Sequence, residues 1–404
     1  MNGRALHYFA LLTSLATLAL LGVGGLVTSH GVGMAVPDWP NTYGYNMFFF
    51  PVSQWVGGIF YEHTHRLVAS GVGLLTGILA LWLYGRTARP FMRWSGLTLL
   101  FLGLATSLAF ARRWADGLVL GITGTALFGA SFVWPRCEPN QRWLRRCGVV
   151  AFLAVVLQGV LGGLRVVLYR DAIGIFHATL AQLFFVLICA IALFTSRWWH
   201  NLPAPAASRA DVRLTCFFTA TTVLILAQLV LGATMRHQHA GLAIPDFPLA
   251  YGKVWPAIDA ASVEQYNQQR MEILSVNPIT ALQIVLQMAH RMFALLILAA
   301  VAGSAWSACK QLGKENFSSK LALAWLVLIF AQVLLGAGTI WSNKAADIAT
   351  AHVLIGALSL AAGSFLSIVS LRNLIPARRL TESSSVARAL PPSPFVAPGA
   401  SGVR

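Results

Sequence analysis

Ten stretches of roughly 17 to 29 residues are apolar on every helical face. They lie at about 6–28, 58–84, 94–110, 116–134, 147–168, 172–195, 213–235, 280–308, 319–341 and 348–371, and each is long enough to cross a hydrocarbon layer about 30 Å thick as a helix. None shows the alternation of a barrel strand, and in lipid only helices or closed barrels satisfy the backbone. The expectation is therefore an all-α polytopic membrane protein of about ten helices. The polar stretches between spans divide into two kinds. "YGRTARPFMRW", "RCEPNQRWLRRC", "SRWWHNLPAPAASRADVR" and "CKQLGKENFSSK" are basic, whereas the segments after the first and seventh spans are long and rich in Pro, Asp and aromatic residues.

The polar residues repeat. "VPDWPNTYG" at 36–44 returns as "IPDFPLAYG" at 244–252, and "EHTHR" at 62–66 returns as "QMAHR" at 287–291. "QGVLGG" at 158–163 returns as "QVLLGA" at 332–337 and again as "QLVLGA" at 228–233. His177 follows Gln158 by 19 residues and His352 follows Gln332 by 20. Each half is thus one four-helix unit with a Pro-Asp-aromatic-Pro loop after its first helix, His-Arg in its second and a single His in its fourth. Four being even, the halves run the same way across the membrane. The chain divides into an N-terminal bundle over 1–200, a C-terminal bundle over 201–375 and a tail over 376–404 that Ser, Pro and Ala predict to be disordered. Spans 94–110 and 116–134 have no counterpart and read as a hairpin inserted at 94–134.

Composition agrees. Hydrophobic residues make up 57% of the 404 and charged residues 10%, against roughly a quarter charged in soluble domains. The net charge of +16 points to no nucleic acid, because roughly two-thirds of the Lys and Arg fall in the basic loops and tail, the positive-inside pattern. That pattern puts both termini in the cytoplasm, the Pro-Asp loops outside, and the protein in the cell (plasma) membrane in contact with lipid. The five cysteines avoid the outer loops, so no structural disulfide is expected.

His65 and His177 in the first half, and His290 and His352 in the second, lie at similar depths below the outer surface. Two imidazoles opposed across a helical bundle hold a porphyrin iron from both sides. One membrane histidine alone is more commonly a hydrogen-bonding core residue; four at matching places in a duplicated bundle are hard to attribute to packing. Arg66 and Arg291 either pair with propionates, to which guanidinium groups bind bidentately, or snorkel to the interface. Glu62 shares a helix face with His65, and its counterpart is Gln287. An acid on one side only suggests proton transfer beside the first site; the plainer reading is a carboxylate bonded to water or Arg66. Asp38 and Asp246 occur in both loops and read as turn formers.

Taken together, "EHTHR", the paired "PDWP" and "PDFP" loops, "QGVLGGLRV" with His177, and "AHR" with His352 resemble the heme A synthase family of cytochrome oxidase biogenesis. The likeness covers nearly the whole chain except the hairpin and the tail. It implies oxidation of the C8 methyl of heme O, the substrate, to the formyl group of heme A. It implies His290 and His352 as ligands of a resident heme b, His65 and His177 around the substrate heme, and Glu62 as the residue needed for turnover. Heme O synthase and cytochrome oxidase assembly factors are the implied partners. The chain departs from some members in having no Cys at 29–57, and the hairpin lies outside their eight-helix core. Two other classes remain open from the residues: a diheme b-type, quinol-oxidising electron-transfer protein, and a transporter, against which the loop placement of the prolines argues.

Overall fold

A computed structural model describes residues 2–135, 142–202, 209–273 and 278–374, so the expected tail lies outside the described residues. The twelve helices among them are α1 (Asn2–Ser29), α2 (Gly57–Tyr84), α3 (Arg89–Ala109), α4 (Trp114–Val133), α5 (Arg142–Val167), α6 (Asp171–Phe194), α7 (Arg197–Asn201), α8 (Arg209–His237), α9 (Ala260–Ile273), α10 (Ala281–Leu312), α11 (Phe317–Trp341) and α12 (Ala346–Leu374). There are nine runs long and apolar enough to span a membrane among these residues. One of them, Gly57–Ala109, is α2 and α3 joined through a 3₁₀ turn. Gly85, at φ 55°, breaks that run where an L side chain is strained. The chain is an all-α, multi-pass membrane protein. The short α7 and the polar α9 were not expected from hydropathy, since neither carries a spanning apolar run.

Helices α1, α2, α5 and α6 pack as a closed ring, and α8, α10, α11 and α12 form a second ring of the same order. The rings meet where α1 and α6 lie against α12 and α8. Each has its own apolar core at the end away from the Pro-Asp loops: Leu79, Leu83, Phe184 and Ile188 in the first, Phe218, Val301, Trp325 and Leu366 in the second. With the apolar filling gathered at one end, the polar chemistry of both bundles lies toward the loops.

Helices α3 and α4 pack on each other through glycines. A methyl group on Gly103 would lie 2.7 Å from Gly117 O and Gly121 N, and one on Gly96 2.9 Å from Gly124 O, so the backbones touch. This is the close approach that small residues allow between helices in lipid.

Candidate functional site

The two Pro-Asp loops are built alike, atom for atom. Asp38 accepts from the Tyr43 and Gly44 N–H groups at 2.7 and 2.8 Å, and Asp246 from those of Tyr251 and Gly252 at 2.7 and 2.9 Å. Both tyrosines have φ near +50° and donate their hydroxyls back to Ala35 O and Ala243 O. The aspartates are turn formers, as their occurrence in both copies suggested. Burial pushes the Tyr251 phenol up to about 12, which keeps it a donor.

Each loop is latched to the second helix of its bundle. Glu62 accepts the Val36 N–H at 2.9 Å, and Gln287 accepts the Ile244 N–H at 2.6 Å through the matching oxygen. Arg66 donates to Asp38 O, Asn41 O and Val36 O, and pairs with Glu62 at 2.6 Å. Arg291 donates to Asp246 O and Leu249 O. Beside the two roles read for Arg66 and Arg291, propionate pairing or snorkelling, the structure shows a third, binding of the loop backbone. The four N–H groups on the terminal nitrogens of Arg66 are already committed, and Arg291 is directed at the loop backbone. Glu62 is buried, with both carboxyl oxygens engaged. Backbone carbonyls carry no sequence signal, which is why the latch was not legible beforehand.

The four histidines share one further arrangement. A methyl group on Gly24 would lie 3.0 Å from the His65 ring, one on Gly162 3.3 Å from His177, one on Gly232 3.2 Å from His290, and one on Gly336 3.2 Å from His352. Each imidazole therefore rests on a bare stretch of the preceding spanning helix of its ring. Three of these glycines close the Gln-x-x-Leu-Gly motif, and the glutamine has its own part: Gln158 donates to His177 O at 3.0 Å and Gln228 to His290 O at 2.9 Å. Gly24, with Leu20 where the motif has Gln, was missed.

The Nδ1 atoms of all four rings are buried without a hydrogen bond. The His177 and His352 rings lie close enough to the backbone of Gln158 and Gln332 to be acted on by it. A carbonyl beside one ring nitrogen favours the tautomer that leaves the other free as a ligand. The His290 and His352 ring centroids are 6.4 Å apart with planes at 63°. Two metal–imidazole bonds of about 2.1 Å plus two half-rings of about 1.1 Å give about 6.4 Å. The pair thus has the span needed to ligate one iron from both sides. Among the described residues no third His, Cys, Asp or Glu completes either pair into a cluster for a bare metal ion. Such donor pairs suit an iron whose other ligands come from a macrocycle. His65 and His177 lie within electrostatic reach of each other and of Arg165.

His237 is buried, because its ring lies across Gly174 where α8 meets α6. His63, on the opposite side of α2 from His65, is buried between Phe50 and Trp55 with Nδ1 3.2 Å from Thr42 Oγ1. Neither joins the four.

Comparison with known proteins gives a consistent set of relatives. The model of a family described as cytochrome oxidase assembly protein matches residues 110–363. The chain is 23% identical over 377 residues to a protein named Heme A synthase from Geobacillus kaustophilus, an alignment covering 91% of this chain and 92% of that one. It is 24% identical over 259 residues to a Heme A synthase from Alkalihalophilus pseudofirmus, covering 63% and 67%.

Proposed function

Because the chain belongs to the cytochrome oxidase assembly protein family, we propose that it is a heme A synthase of the cell membrane, an oxidoreductase that converts the C8 methyl of heme O to a formyl group. The observation that carries this reading is the pair of histidine clasps, each with its rings on glycine, one of them at the span of a bis-imidazole iron site. The second clasp, His290 and His352, holds a resident heme b, which when bound supplies one-electron chemistry. The first, His65 and His177, receives heme O. The loops face the outer side, both termini the cytoplasm, and heme O synthase and oxidase assembly factors are the partners.

The chain's own residues hold and orient. The latches fix α2 and α10 in rotation, so His65 and His290 point inward. The Gln motifs hold the backbone of the facing helix, and the loops close the bundle ends against water. Glu62 is the one ionisable group that the first latch has and the second lacks. It sits one turn from His65 and, on this reading, exchanges a proton during turnover by giving up its bond to Arg66 or to the loop.

Gln287 shows that an amide can make the same latch bond, so Glu62→Gln tests charge, with retained heme b as the check that the fold survives loss of the buried ion pair. In cells supplying heme O, wild type is expected to yield heme A, whereas Glu62→Gln retains heme b and makes on the order of a hundredfold less heme A, the scale of a lost acid–base group. Undiminished heme A from the variant removes Glu62 from the chemistry. The close likeness of the two latches is also what a diheme electron-transfer protein presents, and absence of heme A from wild type would favour that reading.

A further inference from the structure

With Arg66 and Arg291 bound to loop backbone, two further arginines that no repeat motif pairs also act on the histidine clasps. Arg165 lies three residues beyond Gly162 on α5, and Arg236 four beyond Gly232 on α8, so each sits one turn further toward the loops on the face that carries a histidine ring. One helical turn, about 5.4 Å, is the scale that separates a porphyrin's centre from its carboxylate-bearing rim.

These arginines are poorly compensated. The sole acid paired with Arg165 among the described residues is Asp171, 3.7 Å away and half-exposed. Arg236 donates through Nη2 to Gly25 O and Ser29 Oγ, both at 2.6 Å on α1. The Nε atoms of both are buried with no hydrogen-bond partner. Lys344, in the turn before α12, is half-buried, and burial followed by the charge of Arg236 holds its ammonium below the usual lysine range. Arg165 acts electrostatically on Arg236, and Arg236 on Lys344. Arg165 also reaches His65 and His177, while Arg236 reaches His352. A chain of three cations therefore runs along the junction of the bundles beside both clasps, with one loosely held carboxylate. Partly buried like charges in this number are stable only with counter-anions.

We propose that Arg165, Arg236 and Lys344 form a carboxylate-binding site at the junction of the two bundles, whose ligands are the propionate groups of the macrocycles held by the two histidine pairs. The proposal rests on the heme-binding reading above. It assigns the guanidinium–carboxylate pairing to residues outside the repeated motifs: Arg165 to the first clasp, Arg236 and Lys344 to the second. A planar guanidinium matches a carboxylate through two parallel bonds, which Arg165 offers through its unpartnered Nε and the neighbouring Nη2, whereas Arg236, with Nη2 tied to α1, offers its unpartnered Nε as a single donor.

The test uses the full chain in detergent, depleted of pigment, titrated with hemin and with its dimethyl ester. The two share ring and iron and differ in the carboxylates. Wild type is expected to bind hemin at least about tenfold more tightly, the scale of one charged hydrogen-bond pairing. An Arg165→Gln/Arg236→Gln double variant loses that preference by weakening hemin while leaving the ester unchanged. Because Arg236 also ties α1, Arg165→Gln alone serves as the second variant, since its guanidinium makes no short bond to the fold. It must lower the hemin preference at the first clasp. Preference unchanged in both variants, or equal binding of the two compounds by wild type with a bis-imidazole spectrum, overturns this proposal alone. Binding of neither macrocycle overturns the functional reading as well.

Discussion

At the scale of single residues, the informative comparison is Glu62 with Gln287. Both receive the N–H of the loop residue two before the aspartate, yet only Glu62 brings a charge, and only its arginine is held by an ion pair. Removing one partner of a buried pair leaves the other uncompensated and costs about 3–5 kcal/mol, whereas losing a few bonds to neutral carbonyls costs about 1–3 kcal/mol. Arg66→Leu is therefore expected to lower the thermal unfolding temperature in detergent clearly more than Arg291→Leu. Equal effects would mean that the Glu62–Arg66 pair carries no special share of the first loop's stability.

Helix against helix, the determining contact is a ring on a glycine. The tightness of the four contacts, 3.0–3.3 Å from a hypothetical methyl, leaves no space for a larger side chain without moving an imidazole. Overpacking of this kind costs about 1–3 kcal/mol, which is roughly tenfold to hundredfold in affinity. Gly232→Leu is expected to weaken heme b binding by that factor with the first clasp's spectrum intact, and Gly24→Leu to do the converse. Quantified pigment and low-spin absorption of the two purified variants check this; loss from both clasps in either variant would mean that the clasps are not independent.

Considered as a whole, the molecule consists of two rings of four helices and an appended hairpin. Helices α3 and α4 hold each other through glycine backbones and an Arg89 bond to Trp134 O, and join the first bundle through ties near their ends: Trp134 to Leu81 O and Asn46 to Asp116. No histidine clasp uses the hairpin. Replacing residues 89–134 by a short polar linker is expected to leave the heme spectrum and heme content of the purified protein unchanged. A lost low-spin signal would make the hairpin part of the first site.

What the chain alone determined follows from patterns that water and lipid impose locally. Apolar length gave the spans, repeated polar words gave the two bundles, and matched positions gave the four histidines and the glycines of the Gln-x-x-Leu-Gly motif. Tertiary structure decided the partners. It turned Arg66 and Arg291 to the loop carbonyls, buried His237 on Gly174, set His65 on Gly24 where no motif stands, and lined up Arg165, Arg236 and Lys344 at the junction of the halves. Those contacts join atoms distant in sequence, and most of them end on backbone carbonyls or bare glycines, which have the same chemistry wherever they occur. No spacing along the chain encodes which carbonyl a guanidinium will meet; only the packing of one helix beside another sets it.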